Sequence, residues 1–214
     1  MENIESMEFH LISNTFNKNY AVNGGALYLK ENQASSINKT IIIEDNIFNQ
    51  NIAENFGGAI YSQLNNVSAK NNNFTFNAAG INGGGIYTEN FAITNISDEK
   101  YFYLKDNVVD SVENDYSSKP SYITLNTTLS KKEKQNYYSV DIIPGDYLPL
   151  KFTLYDVYDK ILKDTTKFYS SITLKVLLIN NNNDNDYDET NYWNSTSTST
   201  SLLGNIGSFV NGNN

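Results

Sequence analysis

Residues 48–61, with the sequence FNQNIAENFGGAIY, carry the pattern that decides the fold. Phe48 is followed by Asn three residues later, and a Gly-Gly pair then precedes Ala, Ile and Tyr. The same order occurs in FNKNYAVNGGALY at residues 16–28 and in FTFNAAGINGGGIY at residues 74–87. A unit that occurs three times in this way indicates a repeat architecture, in which each unit packs on the next.

The spacing of the glycine pairs gives the size of the repeat. The pairs begin at Gly24, Gly57 and Gly83, and the intervals are therefore 33 and 26 residues. A polar insertion at residues 31–40, ENQASSINKT, accounts for the longer interval. A period in the mid-twenties is too short for a pair of helices and fits one coil of a solenoid.

The coils are predicted to be β-structure. Runs such as IIIEDNIF and AIYSQL are rich in β-branched and aromatic residues, have Asn and Gly clusters between them, and show no helical spacing. We expect the Phe residues to stack in the core, the Asn residues to occupy corner or ladder positions, and the Gly-Gly pairs to form tight corners with positive φ, including at Gly58. The residues that carry these expectations are Phe16, Phe48, Phe74, Asn19, Asn51, Asn77, Gly24, Gly25, Gly57, Gly58, Gly83 and Gly84.

The combination of Phe-x-x-Asn with Gly-Gly-Ala-aliphatic resembles the repeat of chlamydial polymorphic outer membrane proteins. An Asn-rich form of the repeat is similar to segments of very large surface proteins of ciliated protists. This resemblance implies a right-handed parallel β-helix and a location at the cell surface. It implies little about activity, because one fold hosts many functions.

A fourth, degraded coil is expected at residues 101–116, YFYLKDNVVDSVENDY. Aligned with the second coil, it has Val109 in place of Phe and Val112 in place of Asn, and it has no Gly-Gly pair. End coils of solenoids are often atypical because they close an open end.

The second half of the chain has a different pattern. Alternating strands are predicted around a Pro144-Gly145-Asp146 turn and a polar turn near Asp159, which resembles an immunoglobulin-like sandwich. The expected divisions are a β-helix at 1–118, an incomplete sandwich-like module at 119–180, and an Asn/Ser/Thr-rich acidic loop with a shortened strand pair at 181–214. With three or four predicted strands, we expect the chain to be a fragment of a longer protein.

The composition of the chain disfavours several classes of partner and site. The net charge of −9 and pI of about 4.6 disfavour nucleic-acid partners and anionic membranes, and all 15 basic residues are Lys. There is no Cys, His10 is the single His, and neither a signal peptide nor a membrane span is recognised in the sequence. We predict no catalytic residue, cofactor or metal site. The acidic run at 184–189 imitates an EF-hand loop but has Glu189 where Gly is needed.

Three functions remain in view. The first is a non-enzymatic structural or adhesive segment of a large membrane-anchored surface protein, whose partner would be a surface protein or a glycan. The second is a carbohydrate-active enzyme, in which Glu44-Asp45 and Asp106 would form an acidic line. The third is a glycan-binding module that uses a ladder of Tyr28, Tyr61 and Tyr87. Candidate glycosylation sites in predicted loops are Asn38, Asn126 and Asn194.

Overall fold

A computed structural model describes residues 6–30, 38–64, 67–90, 93, 96, 98, 101–125, 150–175 and 206–208. Within these residues the regular structure is β-strand, apart from one short 3₁₀ helix at Phe168–Ser171. The strands are β1 (Ser6–Ile12), β2 (Thr15–Asn17), β3 (Tyr20–Asn23), β4 (Leu27–Leu29), β5 (Asn38–Glu44), β6 (Ile47–Asn49), β7 (Ile52–Phe56), β8 (Ile60–Ser62), β9 (Val67–Lys70), β10 (Asn72–Thr75), β11 (Ala78–Ala79), β12 (Ile86–Thr88), β13 (Phe102–Lys105), β14 (Val108–Val109), β15 (Val112–Glu113), β16 (Tyr116–Ser118), β17 (Pro120–Leu125), β18 (Phe152–Asp156), β19 (Thr173–Lys175) and β20 (Ile206–Ser208).

The first sixteen strands, except β15, form a parallel β-solenoid of about three turns. Strands from successive coils pair in register and build four parallel faces, with the orders β1-β5-β9, β2-β6-β10-β13, β3-β7-β11-β14 and β4-β8-β12-β16. The predicted all-β parallel coil is therefore confirmed. Each of the first three coils contributes one short strand to each face, which explains the short β-branched runs between Asn and Gly clusters.

The interior is held by identical side chains stacked from coil to coil. The rings of Phe16 and Phe48 lie 4.9 Å apart between centroids, and those of Phe48 and Phe74 lie 4.5 Å apart, nearly parallel in both cases. Phe48 and Phe74 are 0% and 1% exposed. Ile60 and Ile86 pair in register beside them and are also fully buried. Burial of these aromatic and aliphatic side chains is the main driving force for stacking the coils.

The two glycines of each pair have different physical roles. Gly57, the first of its pair, has φ of +65°, as the corner requires. Gly58, the second, does not have positive φ, so our expectation for its backbone is wrong. Instead, a Cβ built on Gly58 would lie 2.0 Å from the carbonyl oxygen of Gly84 in the next coil. Close approach of two backbones, rather than backbone conformation, demands glycine at this position.

The strands beyond the solenoid are antiparallel. β15 folds back on β14, β17 pairs with β18, and β19 pairs with β20. A turn at residues 157–159 follows β18. The Pro144-Gly145-Asp146 turn lies outside the described residues, and the described part of the region comprises two-stranded sheets rather than a complete sandwich.

We expect the substitution Gly58→Val to lower the free energy of unfolding by about 4 kcal/mol or more, because its side chain would collide with backbone that the next coil fixes. Urea denaturation of the purified variant measures this. Ser68→Val, at an exposed position on β9, is the matched control and should change stability by no more than about 0.5 kcal/mol. Equal stability of the two variants would contradict the close approach at Gly58.

Candidate functional site

Asparagine side chains form a continuous hydrogen-bonded ladder at one corner of the solenoid. Asn19, Asn51, Asn77 and Asn107 occupy equivalent places in successive coils. At each step the backbone N–H and Nδ2 of one Asn both donate to Oδ1 of the next, over 2.8–3.1 Å. Asn51 is 0% exposed, and its Nδ2 also donates to the carbonyl oxygen of Phe16 at 3.0 Å. The ladder thus satisfies backbone groups that the corner leaves without strand partners.

The residue before each ladder Asn carries the left-handed backbone. Lys18, Gln50, Phe76 and Asp106 have φ between 55° and 57°. We expected the Asn residues at corner or ladder positions; the left-handed conformation of the corner falls on the residue before each Asn. Each Asn side chain bonds backbone on both sides of the bend in the preceding coil; Asn51, for example, bonds Phe16 and Asn19, which flank the bend at Lys18.

A second ladder, which the sequence analysis missed, runs along the preceding corner. Asn14, Asn46 and Asn72 repeat the same bonds, with backbone N–H and Nδ2 donating to the next Oδ1 at 2.8–3.2 Å. Asn46 and Asn72 are each 1% exposed. The signal is present in the sequence, because an Asn stands five residues before each of the recognised ones, giving Asn-x-Phe-x-x-Asn in three coils.

The fourth coil has a different register from the predicted one. Leu104, not Val109, pairs with Phe74, and Asn107, not Val112, continues the ladder. Val109 instead pairs with Ala79. The misalignment arose because the dipeptide at 106–107 copies Asp-Asn at 45–46, although the two dipeptides lie at different corners.

This register also separates the carboxylates of the expected acidic line. Asp45 lies at the corner that contains Ser13 and Asn71, whereas Asp106 lies at the corner that contains Phe76. The acidic line is therefore wrong. His10 lies on the edge strand β1, where its Nε2 is 3.4 Å from Glu8 Oε2.

The tyrosine ladder exists, but most of it is covered. Tyr28 and Tyr61 stack with centroids 5.1 Å apart, and Tyr61 and Tyr87 with centroids 5.7 Å apart. Tyr61 and Tyr87 are only 6% and 4% exposed, whereas Tyr28 is 49% exposed. A sugar ring that stacks on an aromatic side chain needs a free ring face, which among these three residues only Tyr28 offers.

The cover over this face comes from residues 150–175. The hydroxyl groups of Tyr87 and Tyr169 lie 3.1 Å apart in a buried hydrogen bond. Phe168 packs its ring edge against Phe56, with centroids 5.3 Å apart, and Phe56 in turn contacts Tyr87 at 4.6 Å. Burial is the main reason that the pKa of Tyr87 lies far above its usual value, and the neighbouring Tyr169 raises it further.

A buried turn fastens this covering segment to the last face of the solenoid. Asp156 is 1% exposed and accepts backbone N–H bonds from Ser118, Tyr158 and Lys160. Lys160 Nζ donates to the carbonyl oxygen of Tyr116 at 2.9 Å and lies 3.6 Å from the centroid of that ring. Burial lowers the pKa of Lys160, against the opposing effect of the Asp156 charge, and raises the pKa of Asp156, against the opposing effect of the backbone hydrogen bonds that it accepts. The charged groups here are engaged in holding backbone.

Tyr61 is part of a polar cluster at the margin of this face. Its hydroxyl donates to Glu89 Oε1, and Gln63 Nε2 donates to the same Glu89 oxygen at 2.8 Å. Burial and the Glu89 carboxylate raise the pKa of Tyr61, which therefore stays protonated.

Several predicted features lie partly or wholly outside the described residues. Asn38 is the first residue of β5, and its side chain is not described; Asn126, Asn194 and the acidic run at 184–189 lie outside. Within the described part of the chain, no three His, Cys, Asp or Glu side chains are grouped so that they could hold a metal ion.

Comparisons with known proteins give no relative. Neither protein-family models, nor curated proteins, nor solved structures include a match to this chain. In the portion that the structure describes, we find no helix with the length and apolar character of a membrane span.

We expect Asn51→Ala to lower the free energy of unfolding by about 1–3 kcal/mol, because it removes the amide that donates to the carbonyl of Phe16 and leaves the N–H of Asn19 without its side-chain acceptor. Urea denaturation measures the change. Asn17→Ala, at an exposed position on β2, should stay within about 0.5 kcal/mol of the wild type. A neutral Asn51→Ala would contradict the ladder.

We expect the protein to lose stability as the pH rises from 10 towards 12. Burial raises the pKa of Tyr158 to about 12 in the folded protein from a usual value of 10.0. Between these values the unfolded chain releases a proton that the folded chain retains, so unfolding becomes more favourable. Urea denaturation across this pH range should show a shallower loss for Tyr158→Phe. Equal slopes for the two proteins would contradict the burial of this hydroxyl.

Proposed function

We propose that the chain is a non-enzymatic structural and adhesive segment of a large, membrane-anchored cell-surface protein. Its solenoid would serve as a stalk, and its external partner would be a surface protein or a glycan. In finer detail, we propose a right-handed β-helix of the polymorphic outer membrane protein type, followed by an immunoglobulin-like module. Support for these details comes from the Phe-x-x-Asn and Gly-Gly-Ala-aliphatic motifs and from the alternating pattern after residue 119.

The observation that carries the structural role is that the repeat residues contact their own equivalents in neighbouring coils. The Phe rings stack at 4.5–4.9 Å, the Asn amides bond one another, and Gly58 admits the backbone of the next coil. Side chains used in this way extend a rod by repetition rather than surround a substrate. A stalk needs this property.

A glycan-binding role is the second candidate, and the exposed ring of Tyr28 favours it. Tyr28 lies at the uncovered end of the ladder, where a sugar could stack on its ring. A glycan array with the purified chain tests this, with Tyr28→Ala as the variant and exposed Tyr103→Ala as the control. Binding lost only with Tyr28→Ala would make glycan recognition the better description.

We expect antibodies raised against the purified chain to label intact cells of the source organism as strongly as permeabilised cells. Brief treatment of intact cells with protease should remove the signal, whereas a cytoplasmic marker should survive. Labelling that needs permeabilisation would overturn the surface location. Beads coated with the chain should adhere to the same cells; beads that do not adhere would remove the adhesive role.

The enzymatic alternative has a direct test as well. Purified chain incubated with neutral and acidic polysaccharides should release no reducing ends and no unsaturated products. Turnover that follows the protein through purification would replace the stalk proposal by a carbohydrate-active enzyme.

A further inference from the structure

The first coil carries the repeat residues but leaves them less buried than later coils do. Phe48 and Phe74 are at most 1% exposed, whereas Phe16 is only partly buried. Tyr28 is 49% exposed, against 6% for Tyr61. The residue types are the same, so the difference comes from position: β1, β2, β3 and β4 are edge strands of their faces.

The Asn ladders have a direction that gives this end a defined polarity. Every step runs from backbone N–H and Nδ2 of one coil to Oδ1 of the next coil along the chain. Among the described residues, no N–H donates to Oδ1 of Asn14 or Asn19. Both first-coil oxygens are therefore acceptors that face away from the solenoid.

Alternate residues of the first coil also present backbone groups to the open end. The carbonyl of Asn14 accepts from Ile47, and the N–H of Lys18 donates to Asn49, so these residues bond towards the second coil. Alternate residues of a parallel strand bond to opposite neighbours. Thr15 and Asn17 thus present their backbone groups to the open side.

At the opposite end, the ladder corner at Asn107 and the outer edge of β14 are closed. Asp115 Oδ1 accepts from both the backbone N–H and Nδ2 of Asn107, at 3.3 and 2.7 Å, and so replaces the next Asn. β15 folds back in antiparallel pairing on β14. Asn107 and Val109 are 0% and 1% exposed, like residues inside the stack.

We infer that the open end is a docking edge for one further coil of the same repeat, supplied by a polypeptide segment outside residues 1–214. Its Asn residues would donate to Asn14 and Asn19 Oδ1, its Phe would stack on Phe16, and its backbone would pair in parallel with β1 to β4. The contact continues the coil-on-coil interface already present within the chain. This inference does not depend on the proposed cell-surface location.

Other occupants match this edge less well. A second copy placed head to head would set acceptor oxygens against acceptor oxygens. A second copy placed head to tail would need the end that β15 and Asp115 close. Residues 1–5 are too few for a coil, and residues 126–149 and 176–205 contain neither Phe-x-x-Asn nor Gly-Gly.

A labelled synthetic peptide with the sequence of residues 38–64, a complete coil, tests the inference against the full chain. Fluorescence anisotropy should show saturable binding, and hydrogen exchange should show new protection at residues 6–30 and none at residues 150–175. The control peptide carries Asn46→Ala and Asn51→Ala and should bind about tenfold more weakly or worse, because it lacks the side-chain donors.

A second control peptide, N-methylated at Gln50, tests the backbone pairing. In the native stack the Gln50 N–H donates to Thr75 of the following coil, so on the open end it would donate to Asn17. The methylated peptide should also bind more weakly. Absence of binding, equal binding of all three peptides, or protection away from residues 6–30 would overturn the inference. Dimerisation of the chain alone that protects residues 6–30 would assign the edge to a second copy instead.

Discussion

The bend at each ladder corner is the constraint on which the rest of the solenoid depends. A parallel strand can turn into the next face only if one residue leaves the extended conformation, and here that residue is left-handed. This conformation is unfavourable for residues other than Gly. The following Asn compensates by bonding to both neighbouring coils. The side chain of Asn51 bonds the backbone of Phe16 and Asn19 in the preceding coil and donates to Oδ1 of Asn77 in the next one. The same side chain therefore stabilises both the corner conformation and the stacking of the coils.

The features that sequence predicted are those that repeat with unchanged spacing. Phe, Asn and Gly-Gly recur in a fixed order, and their stacking follows because equivalent positions must meet in a solenoid. The ladder at Asn14, Asn46 and Asn72 was missed because Asn is so abundant in this chain that additional recurrences carried little weight. The register of the fourth coil was missed because an Asp-Asn pair recurs at a non-equivalent corner. In both cases the information lay in spacing from Phe, not in residue identity.

Contacts between distant segments were beyond prediction. Tyr87 and Tyr169 are 82 residues apart in the chain, and the local sequence around either residue does not predict their hydrogen bond. The Tyr ladder looked equally suited to binding sugars and to stabilising coils, since both uses require stacked rings. The structure favours the second use for two of the three rings: Tyr87 is covered by Tyr169, and Tyr61 is stacked between Tyr28 and Tyr87. The exposed ring of Tyr28 adjoins the open end of the solenoid. The exposed part of the Tyr ladder and the edge strands of the first coil therefore lie at the same end.

Coil length varies in only some places. Equivalent ladder residues are 32, 26 and 30 residues apart along the chain, yet the interval to the ladder Asn is three from Phe in the first three coils and from Leu104 in the fourth. The extra residues fall next to the β1-β5-β9 face, between Tyr28 and β5 and between Ile93 and β13. At the second of these additions, Phe102 stands where the second ladder, which ends at Asn72, would need its next Asn. Corners without an Asn ladder can therefore accept additional residues during evolution. At the corner that contains Asn51 and its equivalents, the spacing is instead constant.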